Sequence, residues 1–373
     1  MEICSLIRRY MRNGVVLPDS ALKALTTGLS PEIKTDPCLV QPSSVDVMCR
    51  GLVRTLKSEP CISDGLSMED VFGLTYEIRD LNRGPLILLA GQVYLIETDI
   101  EFNLSESLQG RFNPKSTAGR HALSCRALVE GSKGYDQIQF GYKGKAWIIV
   151  IPQGYSVILD KKTSLVQFRL FRGLRYFVPG EELLEIHKRY PLLGGKRKLQ
   201  CNERGMLLHL DLSNKQEYAI STANPQPVDL QRRRVYSPKD YYYRRRLDKG
   251  WLHLNYSDFL LAPTLEQVRV PHFLCAEMTE LDTALGPVQA HRAGFIDPRW
   301  GGEKGVQLTC EIRNLSPSSF CLRNEGTIAA LVFEPMSSLP ESGYGETTAS
   351  EASNYGGGEI YPKQFIEGVR LPR

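Results

Sequence analysis

An interval of 166 residues brings the first half of this chain into register with the second. Thr98–Leu108 (TDIEFNLSESL) then lies over Thr264–Leu274 (TLEQVRVPHFL), with apolar positions matched, and Thr117-Ala118 lies over Thr283-Ala284. Further along, Ser164–Phe168 (SLVQF) resembles Thr327–Leu331 (TIAAL), so the interval drifts by a few residues. The repeated unit is strand-like. Leu86–Ile96, Ala146–Ile151, Ser164–Phe171, Val306–Arg313 and Thr327–Phe333 are rich in β-branched or aromatic residues and bounded by Gly or Pro. Helical pattern is confined to short stretches such as Asp19–Thr26, behind Pro18, and Glu181–Lys188. A mainly β fold built by duplicating one domain is expected. The boundaries predicted are a first lobe over 1–175, a linker over 176–205 containing the charged run with Gly194-Gly195, a second lobe over 206–336, and a tail over 337–373. That tail is rich in Ser, Gly, Thr and Glu, a mobile composition, yet carries Tyr344, Tyr355 and Tyr361. It reads either as a disordered terminus or as a segment that closes over a ligand.

The composition excludes several classes. No apolar run nears the roughly 20 residues a membrane helix needs, and the charged opening MEICSLIRRYMRNG lacks a signal-peptide pattern. A cytoplasmic protein with no membrane partner is expected. The nine cysteines are odd in number and never spaced CxxC, which favours free thiols. A net charge of +4 is too small for polyanion binding by the whole chain. Zinc-dependent deamination needs His-x-Glu with Pro-Cys-x-x-Cys, and neither occurs. No zinc is expected.

Four segments carry a family resemblance. Asn113–Arg120 (NPKSTAGR) is similar to the Ser-containing, Arg-ending loop of the dUTPase and dCTP deaminase superfamily, and Val40–Val47 (VQPSSVDV) to its early Gln-Pro-x-Ser-x-Asp strand. In the second half, Ala290-His291-Arg292 and Ile296-Asp297-Pro298-Arg299-Trp300 resemble the deaminase His-Arg-Ile-Asp-Pro-Gly-Trp run, with 293–295 inserted. Leu308–Asn314 (LTCEIRN) resembles the strand bearing the deaminase's catalytic glutamate, with 303–305 inserted ahead of it. These matches cover about half the chain, in the proper order, and the double length resembles the fused-repeat branch of dCTP deaminases. The resemblance implies two tandem dUTPase-like distorted β-barrel lobes, of the β-clip kind, with few short helices. It also implies metal-free hydrolytic deamination of dCTP to dUTP and ammonia, with Mg²⁺ carried on the triphosphate. A homo-oligomer, a homotrimer by preference, and binding of dTTP or dUTP are expected with it.

Read as chemistry, deamination requires a base for water, an acid for the leaving ammonia and donors for the intermediate. Glu311, flanked by Cys310 and Ile312, is expected to be buried with a raised pKa, although an alternating strand often turns its Glu to solvent. Lys115, Ser116, Thr117 and Arg120 offer two cations and two hydroxyls around Gly119, a set suited to phosphate or developing charge. The halves have diverged in a complementary way. The second-half counterpart of the loop, Leu281–Gly286, has no cation, and the first half has no Asp or Glu between Asp136 and Asp160, where the partner of Glu311 would fall. One composite site from unlike lobes follows, with Glu311, Ser116 and Arg120 as catalytic candidates. Lys115, Thr117, Thr309 and Tyr355 are candidates for nucleotide binding. So are His291, the backbone of Ala290 near the water, and Asp297 at the deoxyribose.

Two alternatives remain open on sequence alone. A dUTP diphosphatase, or a bifunctional enzyme making dUMP, fits the hairpin around Asp297. A non-catalytic nucleotide or nucleic-acid-binding module fits Arg232–Arg246, where seven basic residues alternate with four tyrosines.

Overall fold

The computed structural model describes residues 2–27, 30–62, 67–213, 218–220, 226–256, 258–280, 288–290, 294–346 and 359–366. The internal repeat reappears as strand pairing. In the first half, Ser164–Arg172 runs antiparallel between Val45–Leu56 and Leu108–Pro114, while Val93–Asn103 pairs with Lys143–Pro152. In the second half, Thr327–Pro335 runs antiparallel between Gly205–His209 and Leu274–Glu280, while Phe259–Val268 pairs with Val306–Asn314. The continuous apolar run Ile148-Ile149-Val150 forms a central strand because both its faces are covered. Ile148 and Val150 enter the main first-half core, and Ile149 enters a smaller cluster with Leu56, Met68 and Val71.

Nine of the strands of the first half form one sheet that nearly closes into a barrel. Asp136 spans the remaining gap. Its amide donates to Ala127 O at 2.9 Å, its carboxylate accepts from Ala127 N at 2.7 Å, and its carbonyl accepts from Phe112 N at 2.9 Å. The expected second barrel is different: the second half forms a six-stranded and a five-stranded sheet that do not close among the described residues. In the first half the long strand Val45–Leu56 pairs with both Ser164–Arg172 and Val93–Asn103 and so joins the two sides of the barrel. Its second-half counterpart Gly205–His209 pairs with Thr327–Pro335, and among the described residues a single bridge, Leu210 to Thr264, extends from it to Phe259–Val268.

The expected strand Leu86–Ile96 is two strands, Leu86–Leu88 and Val93–Asn103, separated by a turn at Ala90-Gly91 where Gly91 takes φ +80°. Helices occupy Asp19–Thr26 and Gly180–Arg189 as expected, together with Glu2–Asn13, Met68–Gly73 and the five-residue Ser116–Arg120. In the segment 176–205, Leu183, Ile186, Leu192 and Leu193 join the second-half core.

A buried charge network joins the halves. Arg169, wholly inaccessible, reaches Glu277 and Glu334 at 2.6 Å each, and Arg175 reaches the same carboxylates at 2.9 and 2.8 Å. Arg111 sits 3.3 Å from Glu277. These two residues stand one repeat interval apart, so equivalent positions of the duplicated strand now face each other with opposite charge.

Candidate active site

Alternation along Val306–Asn314 assigns its two faces. Cys310 and Ile312 enter the second-half core, which turns Thr309 and Glu311 the other way. That other face is not open to water: Glu311 is 6% exposed. The first half covers it with the single helical turn Ser116–Arg120. Lys115 precedes this turn in an extended conformation, and Gly119 N donates to Lys115 O at 3.1 Å. Gly119 presents its bare α-carbon to Glu311, and a β-carbon there would overlap both carboxylate oxygens. The loop and the carboxylate predicted from opposite halves therefore meet within one chain.

Burial raises the Glu311 carboxyl well above the usual carboxylate range, and the Arg120 charge opposes that rise. Arg120 is itself buried, and its guanidinium donates to the carbonyl oxygens of Glu359 and Ile360. Thr309 Oγ1 donates to the same Glu359 carbonyl at 3.3 Å. Residues 359–366 thus cross from the Glu311 strand to the Arg120 loop as a strap. Sequence reasoning missed these carbonyl acceptors, because a main-chain oxygen has no residue signature; the tyrosines of the tail were the available hint.

Beside the loop, on the side of Thr117, lies a cavity of about 270 Å³. Its wall includes Lys115, Thr117, Lys162, Arg233 and Lys363, with Asp46 paired to Lys115. Cations and hydroxyls from four separate chain segments converge there. Ser116, at the start of the turn, is half-buried.

The other candidates divide. Ala290 lies on the strand paired with the Glu311 strand, opposite Ile312. Asp297 is buried against the first half, where its Oδ1 accepts from Ser43 N at 3.1 Å and Ser43 Oγ at 2.7 Å. Burial lifts its pKa to about 6 against those two hydrogen bonds. Ser43 belongs to the Val40–Val47 segment, and nothing in its residue type signals a partner 254 residues away. His291, Tyr355 and the segment Leu281–Gly286 lie outside the described residues. Among the described residues, no group of three His, Cys, Asp or Glu is arranged to hold a metal ion, and no helix is long and apolar enough to cross a membrane.

The basic, Tyr-rich stretch serves the strap. Tyr241 and Tyr242 are 2% exposed and meet Tyr155 and Phe365 edge to face, and Tyr236 packs on Phe365 at a tilt. Arg234 N and Val235 N donate to Lys363 O and Gln364 O. Rings committed to this cluster are not available to stack on bases.

Comparison with known proteins relates both halves to one family. A family model described as the 2'-deoxycytidine 5'-triphosphate deaminase (DCD) N-terminal domain matches residues 13–174, and one described as the DCD C-terminal domain matches residues 180–362. The crystal structure of 2'-deoxycytidine 5'-triphosphate deaminase from Agrobacterium tumefaciens is similar, with 25% identity and a TM-score of 0.79 over 88% of this chain and 97% of that one. No curated protein sequence matches the chain.

Proposed function

The chain belongs to the dCTP deaminase family, and on that premise we propose that it hydrolyses dCTP to dUTP and ammonia, with Glu311 moving the protons. The observation that carries this reading is the contact of the Glu311 carboxylate with Gly119, inside a site dry enough to raise its pKa. A desolvated carboxylate is a stronger base than one in water. It takes a proton from water as the oxygen attacks C4, and the C4–N bond breaks as that proton passes to the departing amine. Arg120 and Ser116 hold the pyrimidine and the charge that develops on it. Thr309 and the main chain of Ala290, next to Glu311, shape the space for the water. Asp297, in this reading, faces the deoxyribose. Both lobes, in this reading, descend from one dUTPase-like barrel.

The triphosphate, arriving with Mg²⁺ as part of the substrate, fits the cationic cavity at Lys115 and Thr117. Incubation with Mg·dCTP and chromatography of the products tests the proposal. Equal amounts of dUTP and ammonia support it. Release of pyrophosphate with no ammonia points to a diphosphatase, and binding without turnover removes the enzymatic role.

A further inference from the structure

We propose that His121 is a positioning residue for this reaction: through Gln364 it fastens the 359–366 strap whose carbonyls hold the Arg120 guanidinium beside Glu311. The inference rests on the reading of Arg120 as a group that faces substrate.

His121 follows Arg120 directly and is wholly buried. A ring in such a place needs partners for both nitrogens, or it would be replaced by an apolar side chain at less cost. Both partners come from distant parts of the chain. Nδ1 lies 2.6 Å from Tyr155 Oη, and Nε2 lies 2.8 Å from Gln364 Oε1, which is 243 residues away in sequence. The direction of each bond follows from Gln364. Its Nε2 donates to Leu230 O at 2.7 Å, so its Oε1 faces the histidine and accepts. His121 therefore carries its proton on Nε2, and its bare Nδ1 accepts from the Tyr155 hydroxyl. Burial holds the ring neutral, with a pKa lowered to about 4, so this polarity persists across the neutral range.

The main chain of Arg120 is held beside this cluster. Tyr242 Oη donates its one proton to Arg120 O at 3.1 Å and rests 3.1 Å from Tyr155 Oη, whose own proton goes to His121. Arg120 is thus held twice, at its carbonyl by Tyr242 and at its guanidinium by the strap, and His121, next in the chain, fastens the second of these restraints. On the strap, the latch at Gln364 is four residues beyond Ile360, so loosening it frees the carbonyls that aim the guanidinium. Geometry at a reacting centre is sensitive to small displacements of this kind.

The test compares His121→Phe, Gln364→Leu and the double variant, all in the full-length chain. Without substrate, tryptic cleavage after Lys363 is expected to rise about tenfold in either single variant, the opening expected for one lost buried hydrogen bond. With dCTP, kcat is expected to fall about tenfold or more, and the double variant to lose less than the two single losses combined, because the two residues share one bond. If His121→Phe fails to fold, Gln364→Leu decides the matter, because Gln364 sits on the strap. Wild-type cleavage rates in both variants, or losses that add in the double variant, would overturn the latch. The cleavage arm uses no nucleotide, so a wild-type chain inert toward dCTP defeats the deaminase reading and leaves the latch to be judged by proteolysis.

Discussion

The carboxylate of Glu311 rests on the α-carbon of Gly119, so that an acidic group from the later half touches the loop from the earlier one with no side chain between them. Neither residue carries information alone. Glycine at this point is a requirement of space rather than of backbone angle, since it lies inside a regular helical turn.

Replacing Glu311 with Gln keeps the shape and removes the proton carrier. Turnover of dCTP is expected to fall by about three orders of magnitude or more, the scale of losing a general base together with the acid it becomes. Calorimetry should find nucleotide binding largely retained. Wild-type turnover would take Glu311 out of the mechanism.

Gly119→Ala separates stability from function. Alanine favours a helix by about 1 kcal/mol over glycine, yet its methyl must displace Glu311. Thermal melting is expected to change little, while kcat drops by about a hundredfold, as misplacement of a reacting group commonly costs. Equal activity in the alanine variant would show that the carboxylate moves aside in the working enzyme.

A carboxylate acts as a base only when ionised, and the pKa of Glu311 is raised. The acid limb of kcat/KM against pH should therefore lie above the usual carboxylate range and vanish in the Gln variant. A limb near pH 4 that survives the substitution would assign the titration to another group.

Asp297 has a folded-state pKa of about 6 against an ordinary 3.8. Raised pKa values mean that the protonated form fits the fold better. The contribution is fully present below about pH 4 and is lost as pH rises through about 6, at most about 3 kcal/mol in all. Asp297→Asn keeps an acceptor for Ser43 and should flatten urea-measured stability between pH 4 and 7. An unchanged slope would mean that another group carries it.

Glu277 behaves in the opposite sense. Three arginines and the Asn113 amide outweigh its burial and hold its carboxyl far below the usual range. Its stabilisation is present above the unfolded pKa and disappears as the solution is acidified. Glu277→Gln should cost about 3–5 kcal/mol at pH 7, the range for breaking one member of a buried ion network, read as a lower urea midpoint. A loss below about 1 kcal/mol would show that solvent replaces the missing charge.

The repeat, the β-rich character and the pairing of unlike halves were legible because they depend on local residue type and on order along the chain. The strand around Glu311 could be placed, since Cys310 and Ile312 mark its buried face. Closure of the sheets was not legible. A barrel and an open sheet have the same alternation, and the difference lies in which strands pair from one side of the lobe to the other. The tyrosines after Arg232 illustrate the same limit, for exposed base-stacking rings and a buried aromatic cluster look alike in a one-dimensional string. The strap was the largest omission, because Arg120 meets it through the carbonyl oxygens of Glu359 and Ile360.

By itself, then, the order of residues determined which chemical groups this protein has and which half supplies each, since losing a charge from one copy and keeping it in the other is written in the composition of the two segments. Tertiary structure alone decided that Glu311 is dry, that Gly119 lies beneath it and that Arg120 is held from the far end of the chain. Those three facts depend on distances between segments hundreds of residues apart, and burial is a property of what packs over a residue, not of the residue.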